Sequence, residues 1–389
     1  MVRMIVGSGW HPRLFREEVL RIHGSDQAIH PRIVITGQQD NFDVTCSHST
    51  MTLENATILP MRVEEISESI RQWLCDYPIN DTFAVRTTIL GDGVPGFKRR
   101  NIESIIGKEI SDKGAIVDLN DPEITVRLIL AGTADQPQHP DPMVSEPVAV
   151  IGIENPVHDP FLNRPMTSMP FFKPVTLDPR LASLLISMSY SEGVPPSIII
   201  DPFSGTGCIP IQAHHRGIPV LASDLDPEMI NGSKLNFENV FGNIPAESDF
   251  HRSDVSKISD LWGARENTAF IFDPPYARNS KTSSDAFEVF ISACNAASKI
   301  DPEGRIVTIL PTSSEYRVED LEIPDTAEVL GRKWSDLIDE MEQIGWQIEL
   351  AIMTRVHKSL SRIIVRAVDK EPRNANKSKS LNISNISAI

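Results

Sequence analysis

The sequence predicts an α/β chain whose C-terminal half is a doubly wound parallel sheet closed by an antiparallel hairpin, preceded by an α+β half. Three observations predict it. From Ser197 onward, apolar strand-length runs alternate with helical stretches, which implies crossovers and a parallel sheet. Glycines punctuate the first strand-to-helix turn. Two β-rich runs near the C-terminus are joined by a short polar connector, and strands so closely joined pair only as a hairpin.

In the N-terminal half, Leu14, Val19, Leu20 and Ile22 fall at helical spacing among scattered short strands and helices, and no Gly-rich phosphate loop occurs. Between about 134 and 179 prolines are dense (Pro137, Pro140, Pro142, Pro147, Pro156, Pro160, Pro165, Pro170, Pro174, Pro179), which disfavours helix or central strand. Residues 134–174 therefore read as an interdomain linker. The C-terminal half starts with a strand at Ser197 to Ile200, a Gly turn, and a helix through Ile209, Ile211 and Ala213 that ends at Gly217. A second strand, Pro219 to Ala222, leads to Asp224, after which Asp226 and Pro227 open a helix running to about Val240; that pattern is an N-cap followed by proline in the first helical position. Further strands are expected at Ala269 to Phe272 and Arg305 to Leu310. Trp334, Leu337, Ile338, Met341 and Ile344 form the apolar stripe of a covering helix that ends near Gly345. Trp346 to Met353 and Arg362 to Val368 are the hairpin, with its connector around His357, Lys358 and Ser359. Residues 370–389 are polar and Asn/Ser/Lys-rich, without a core pattern, and read as disordered.

Bulk properties bound the function. A length of 389 residues suggests two or three domains. No window reaches the apolar run of about 18 residues that spans a bilayer, and the start has no apolar stretch of signal-peptide length. A cytoplasmic chain without membrane partners is expected. Cys46, Cys75, Cys208 and Cys294 lie far apart with no CxxC and no His at zinc-finger spacing, so buried free thiols are expected and no metal. The net charge of −16 argues against non-specific adhesion to nucleic acid, so any polynucleotide must be gripped locally. Residues 81–130 carry seven Lys/Arg against eight Asp/Glu, close to neutral in an otherwise acidic chain.

Two motifs carry chemistry. In Asp201-Pro202-Phe203-Ser204-Gly205-Thr206-Gly207, glycines let the chain turn sharply and bring backbone close to a ligand. Cys208 and Ile209 stand where a Walker loop has Lys-Ser/Thr, and Pro210 stands where the dinucleotide fingerprint has its third glycine, so both of those readings are disfavoured. Asp224, 19 residues beyond Gly205 at the end of the next strand, can accept both hydroxyls of a ribose. Asp254 can accept from an adenine amino group or serve as a solvated turn residue. The second motif is Asp273-Pro274-Pro275-Tyr276, 68 residues after Gly205, at the end of an apolar strand that its prolines terminate and stiffen. A base amino group is a poor nucleophile because its lone pair is delocalised. Asp273 and the Pro274 carbonyl can draw its N–H protons into hydrogen bonds that favour pyramidalisation, and Tyr276 offers a face on which an extruded base stacks. Together the motifs point to an S-adenosyl-L-methionine-dependent methyltransferase acting on an exocyclic base amino group, with an activated sulfonium and no metal.

DPFSGTG, SDLD and DPPY resemble motifs I, II and IV of amino-methyltransferases acting on adenine N6 or guanine N2. Arg164 to Leu185 and Arg355 to Arg362 look like flanking signatures of the archaeal and eukaryotic tRNA guanosine-N2 methyltransferases, residues 81–131 look like a THUMP domain, and GSGWHPRLFREEVL is similar to the start of that family's ferredoxin-like domain. The resemblance implies a ferredoxin-like domain at 1–77, THUMP at 78–133 and a Rossmann-like class I methyltransferase domain at 175–369. It implies methylation of the guanosine at position ten of tRNA, once or twice, with Asp201, Phe203, Gly205, Gly207, Asp224 and Asp254 holding the cofactor and Asp273 through Tyr276 the guanine. Cys208 and Ala277 stand where many members have glycine. Lys98-Arg99-Arg100 is an RNA-phosphate contact or a solvated run, and Arg86 an RNA contact or outward-facing scaffold. A monomer is expected, with tRNA as partner and room for a small activating protein subunit. The alternatives are a guanine-N2 enzyme acting elsewhere in tRNA, an adenine-N6 enzyme on RNA or DNA, and an RNA-binding protein with a degenerate methyltransferase fold.

Overall fold

The computed structural model describes residues 2–24, 27–37, 44–133, 139, 141–157, 159, 162, 164–174, 176–275, 283–313, 322–357 and 360–370. The stretch read as a disordered tail, beyond residue 370, lies outside them, as do Tyr276, Ala277, Lys358 and Ser359.

The N-terminal half forms one seven-stranded sheet from β1 (Arg3–Gly7), β2 (Gln27–His30), β3 (Ile33–Thr36), β4 (Ser49–Ile58), β5 (Phe83–Leu90), β6 (Ile124–Ala131) and β7 (Val148–Pro156), in the order β2-β3-β1-β4-β7-β6-β5. Only β5 and β6 pair parallel. Three helices accompany it: α1 (Pro12–His23), α2 (Val63–Asp76) and α3 (Arg99–Ser111). α1 forms because His11 Nδ1 caps it by accepting from the Leu14 amide, Pro12 opens it, and Gly24 at φ 65° ends it. α2 and α3 bury Ile66, Ile70, Trp73, Ile102, Ile106 and Ile110 against Val126, Leu128 and Ile151 of the sheet.

β7 corrects the reading of 134–174 as a linker that disfavours a central strand. It pairs with β4 on one side and β6 on the other, and so joins the first 58 residues to the later strands in a single sheet. The prolines stand at the ends of this strand, Pro147 before it and Pro156 as its last residue, so the amides of residues 148–155 are all available to the ladder.

The C-terminal half follows the expected plan. α4 (Pro179–Met188) precedes β8 (Ile198–Asp201), α5 (Cys208–His215), β9 (Val220–Asp224), α6 (Pro227–Phe241), β10 (Asp249–Arg252), α7 (Ile258–Trp262), β11 (Thr268–Phe272), α8 (Ser283–Ile300) and β12 (Arg305–Thr312). The two-residue strands β13 (Glu328–Val329) and β14 (Arg332–Lys333), α9 (Trp334–Gln343), β15 (Trp346–His357) and β16 (Leu360–Asp369) complete it. The strands β10-β9-β8-β11-β12 are parallel, and β16 joins β12 antiparallel with β15 outermost. The chain reverses direction through the sheet at β8, and such a switch point opens a crevice at the carboxyl ends of the strands.

The halves share a core. Leu14, Val19 and Ile22 of α1 belong to the same apolar cluster as Leu184, Leu185 and Ile199. At that seam, buried Glu18 accepts from the Ser47 amide (2.8 Å), Ser47 Oγ (2.9 Å) and Ser187 Oγ (2.7 Å), while Arg216 donates to Ser183 and Ser187. Burial pushes the Glu18 carboxyl up from its ordinary value, and the serine bonds and Arg216 oppose that shift.

The thiol expectation holds for Cys46, Cys208 and Cys294, which are buried and unpaired; Cys75 is exposed, because it sits on the solvent side of amphipathic α2.

Candidate active site

The DPFSGTG loop, the candidate cofactor loop, is built at the carboxyl end of β8. Asp201 is 1% exposed; its Oδ1 accepts from the Phe203 amide at 3.1 Å, while Oδ2 is buried with no hydrogen-bond partner. An orphaned buried carboxylate oxygen costs free energy in the isolated chain and marks a place where a ligand donor belongs. Ser204 Oγ is orphaned in the same loop. Gly205 (φ 49°) and Gly207 (φ 86°) lie in the left-handed region. At Gly207 a Cβ would also stand 2.6 Å from Ser233 Oγ, so this glycine lets α6 approach the loop.

Asp224, at the end of β9, organises the loop as well as facing it. Its Oδ2 accepts from the Gly205 amide (3.0 Å) and Oδ1 from the Asp226 amide (2.9 Å), leaving each oxygen a second lone pair for a ribose hydroxyl. Asp226 caps α6 through the Glu228 amide (2.8 Å), with Pro227 in the first turn. Asp254 accepts from the amide and hydroxyl of Ser256 (2.9 and 2.7 Å), which is the turn role; these bonds hold its carboxyl below the usual value. Phe203 lays its ring edge-on to Phe272 at 5.6 Å, so its side chain belongs to the wall between the loop and β11.

Asp273 follows β11, whose five residues are all buried, and Pro274 is buried while Pro275 is exposed. β11 is the immediate neighbour of β8, which puts Asp273 beside Asp201 at one edge of the sheet. Burial pushes the Asp201 carboxyl well above the ordinary carboxylate range, with the charges of Asp224 and Asp273 adding to the shift. Three acidic groups brought together at the strand ends fit a cationic ligand, and S-adenosyl-L-methionine carries both a sulfonium and an ammonium. The residues present therefore fit that group: Asp201 and Ser204 have unfilled acceptors, Asp224 can take a ribose diol, and the glycines admit close backbone approach. When bound, it supplies an electrophilic methyl. The Asp273 carboxyl and the Pro274 carbonyl are two hydrogen-bond acceptors just beyond the carboxyl end of β11.

Asn236 was not legible as a site residue. Its amide accepts from the Phe171 N–H (2.9 Å) and donates to the carbonyls of Phe171 (2.7 Å) and Thr206 (2.8 Å), tying the 164–174 segment to the cofactor loop. The available signal was Gly232, a glycine inside a helix, which costs about 1 kcal/mol relative to alanine. The structure gives its reason: a Cβ there would fall 2.0 Å from the Phe171 ring.

In the N-terminal half, Lys98 precedes α3 and Arg99 and Arg100 open it, all exposed. Arg99 pairs with Glu103 (3.0 Å), whereas cations at a helix N-terminus are otherwise disfavoured by the helix dipole. Arg86 donates to the Leu119 carbonyl (2.5 Å), a scaffold contact. His214 packs on Phe241 (ring centroids 4.6 Å apart), and burial lowers its pKa. Among the described residues, no cluster of His, Cys, Asp and Glu could hold a metal, and no helix is long and apolar enough to cross a membrane.

Residues 167–319 match the RMKL-like methyltransferase domain, and residues 61–133 match the THUMP domain, whose match starts before position 78 and takes in α2. Among curated proteins, the chain is similar to a tRNA (guanine(10)-N2)-dimethyltransferase of Pyrococcus abyssi (26% identical, covering 77% of this chain and 78% of that one). It is also similar to a protein of the same name from Methanothermobacter thermautotrophicus (29% identical, covering 74% and 73%). Among solved structures, TrmN from Thermus thermophilus aligns over 95% of this chain and 100% of its own at 16% identity and a TM-score of 0.47, a likeness too distant to bear on the site. S-adenosyl-L-methionine is the cofactor that this domain and its crevice call for, and the chain is a methyltransferase that joins a THUMP domain to an RMKL-like methyltransferase domain.

Proposed function

We propose that this enzyme methylates the exocyclic N2 of a guanosine in tRNA, at position ten, adding one or two methyl groups. The observation that carries the chemistry is the placement of Asp273 and Pro274 at the carboxyl end of β11, next to the orphaned Asp201 carboxylate on β8. A flipped base entering there presents its amino group to two acceptors on a proline-stiffened turn, and Tyr276 supplies the stacking face. The choice of tRNA and of guanine rests on the THUMP domain and on the two similar archaeal proteins. Lys98, Arg99 and Arg100 supply exposed positive charge for the RNA backbone in an otherwise acidic chain.

The test is to incubate the protein with methyl-labelled S-adenosyl-L-methionine and unmodified tRNA, then map modified nucleosides by mass spectrometry. N2-methyl- or N2,N2-dimethylguanosine at position ten is expected. Label confined to adenine would overturn the base assignment, and absence of label in any tRNA would overturn the function.

A further inference from the structure

Away from the cofactor crevice, a concave pocket of about 740 Å³ opens at the seam between the two halves. Its lining comes from three places: Trp10 and His48 of the N-terminal half, Arg180 at the start of α4, and Arg355 and Arg362 near the tip of the β15–β16 hairpin.

The pocket walls are fixed. The Trp10 indole stacks on His48 (ring centroids 4.4 Å apart, 18° between planes), and His11 stacks on His139 (4.4 Å, 20°). His139 accepts from the Arg355 amide at Nε2 (2.9 Å) and donates from Nδ1 to the Trp10 carbonyl (2.7 Å), so a neutral imidazole bridges the indole and the hairpin. His11 bridges likewise, accepting from the Leu14 amide and donating to the Met353 carbonyl (3.2 Å). Burial lowers the pKa of His11 and of His48 to about 3, so these rings bring no charge.

The charge comes from arginine. Arg180 donates to the Ser47 carbonyl (2.9 Å). Arg355 is exposed and Arg362 half-buried, with its Nε buried and without a hydrogen-bond partner; neither has a carboxylate partner among the described residues. Arg355 and Arg362 stand on adjacent strands, Arg355 opposite Ser361 and Arg362 opposite Thr354, and both line this pocket in a chain with 53 acidic and 37 basic residues. The acidic groups of the pocket are otherwise engaged: Asp178 caps α4, and Asp159 faces His215.

Phe272 of β11 pairs with Thr308 of β12, and Pro311 of β12 pairs with Arg362. Arg362 thus lies two strands across and two residues further along than Asp273, about 12 Å at ordinary sheet spacings, on the same carboxyl edge. An RNA strand presenting one base at Asp273 has its neighbouring nucleotides within that span. We propose that this pocket holds one nucleotide of the RNA substrate flanking the methylated base, its phosphate between Arg355 and Arg362 and its base or ribose against Trp10. The proposal rests on the reading of the chain as an RNA methyltransferase.

The test compares the wild type with R355Q/R362Q and the charge-preserving R355K/R362K. Affinity for labelled unmodified tRNA is measured by anisotropy across salt concentrations, alongside cofactor affinity and AMP binding. We expect the Gln pair to weaken tRNA binding about tenfold, to flatten the slope of log affinity against log salt by about 0.7–0.9, and to leave cofactor affinity unchanged. The Lys pair should recover most of the loss. Unchanged tRNA affinity in the Gln pair, a Lys pair as weak as the Gln pair, or AMP binding lost in the Gln pair while tRNA binding persists would each overturn the assignment. If the wild type itself binds no tRNA, the underlying function fails, an outcome distinct from a defect seen only in the variants.

Discussion

The two halves of this enzyme hold their candidate functional residues in opposite ways. At the carboxyl edge of the C-terminal sheet, Asp201, Asp224 and Asp273 sit at or just beyond strand ends, and Asp201 and Asp224 are pinned by backbone amides. In the THUMP domain, Lys98, Arg99 and Arg100 are exposed side chains at a helix start, with one paired to a neighbouring glutamate. On the proposed function, the difference follows from the partners. A small cofactor and a reacting amino group need acceptors fixed to within a fraction of an ångström, whereas phosphates need only charge within reach.

The largest effect is expected for Asp273→Ala. On the proposed function Asp273 accepts from the attacking amino group, and removing it should lower the rate of methyl transfer by about 10²–10³-fold, roughly 3–4 kcal/mol, with cofactor affinity kept. Single-turnover transfer beside calorimetric cofactor binding measures both, and loss of cofactor binding instead would move Asp273 from substrate to cofactor.

Asp201→Asn should separate stability from function. The folded carboxyl has its pKa raised by burial and by Asp224 and Asp273, so the folded state holds its proton more tightly than the unfolded chain does. Its contribution to stability is present below the unfolded pKa and is lost as pH rises through the folded one. The ligand-free Asn variant should therefore melt higher than the wild type at pH 8 and differ less at pH 5. It should also lose the rise in Tm that S-adenosyl-L-methionine gives the wild type. Identical melting curves at both pH values would show that the Asp201 charge carries no strain.

The smallest effects belong to the exposed end. Lys98→Ala and Arg100→Ala should each weaken tRNA binding a few-fold and flatten its salt dependence, with Arg99→Ala weaker still because Glu103 already neutralises that guanidinium. An equal and large loss at all three would mean that this patch is as rigidly organised as the catalytic edge.

The sequence was most legible where a motif is also a backbone device. The glycines of DPFSGTG, the Asp226-Pro227 helix start and the prolines after β11 each have one local conformation, so their strands and helices fell where the pattern put them. Proline density misled at β7, since it reports on the borders of a strand as readily as on a linker, and pairing with β4 and β6 is a long-range fact. Asn236 escaped notice because its role lies in reaching Phe171 and Thr206, which only the folding of α6 against the loop brings near.

By itself, then, the sequence determined the parallel-sheet half, its cofactor loop and the acidic motif at the strand end, because these depend on residue types whose backbone preferences and donor–acceptor chemistry are intrinsic. The tertiary structure decided that the N-terminal strands form one continuous sheet, that three carboxyl groups meet at neighbouring strand ends, and that Trp10, Arg355 and Arg362 line one pocket. Such groupings join residues from tens to hundreds of positions apart, and only the burial of shared apolar surface brings them together.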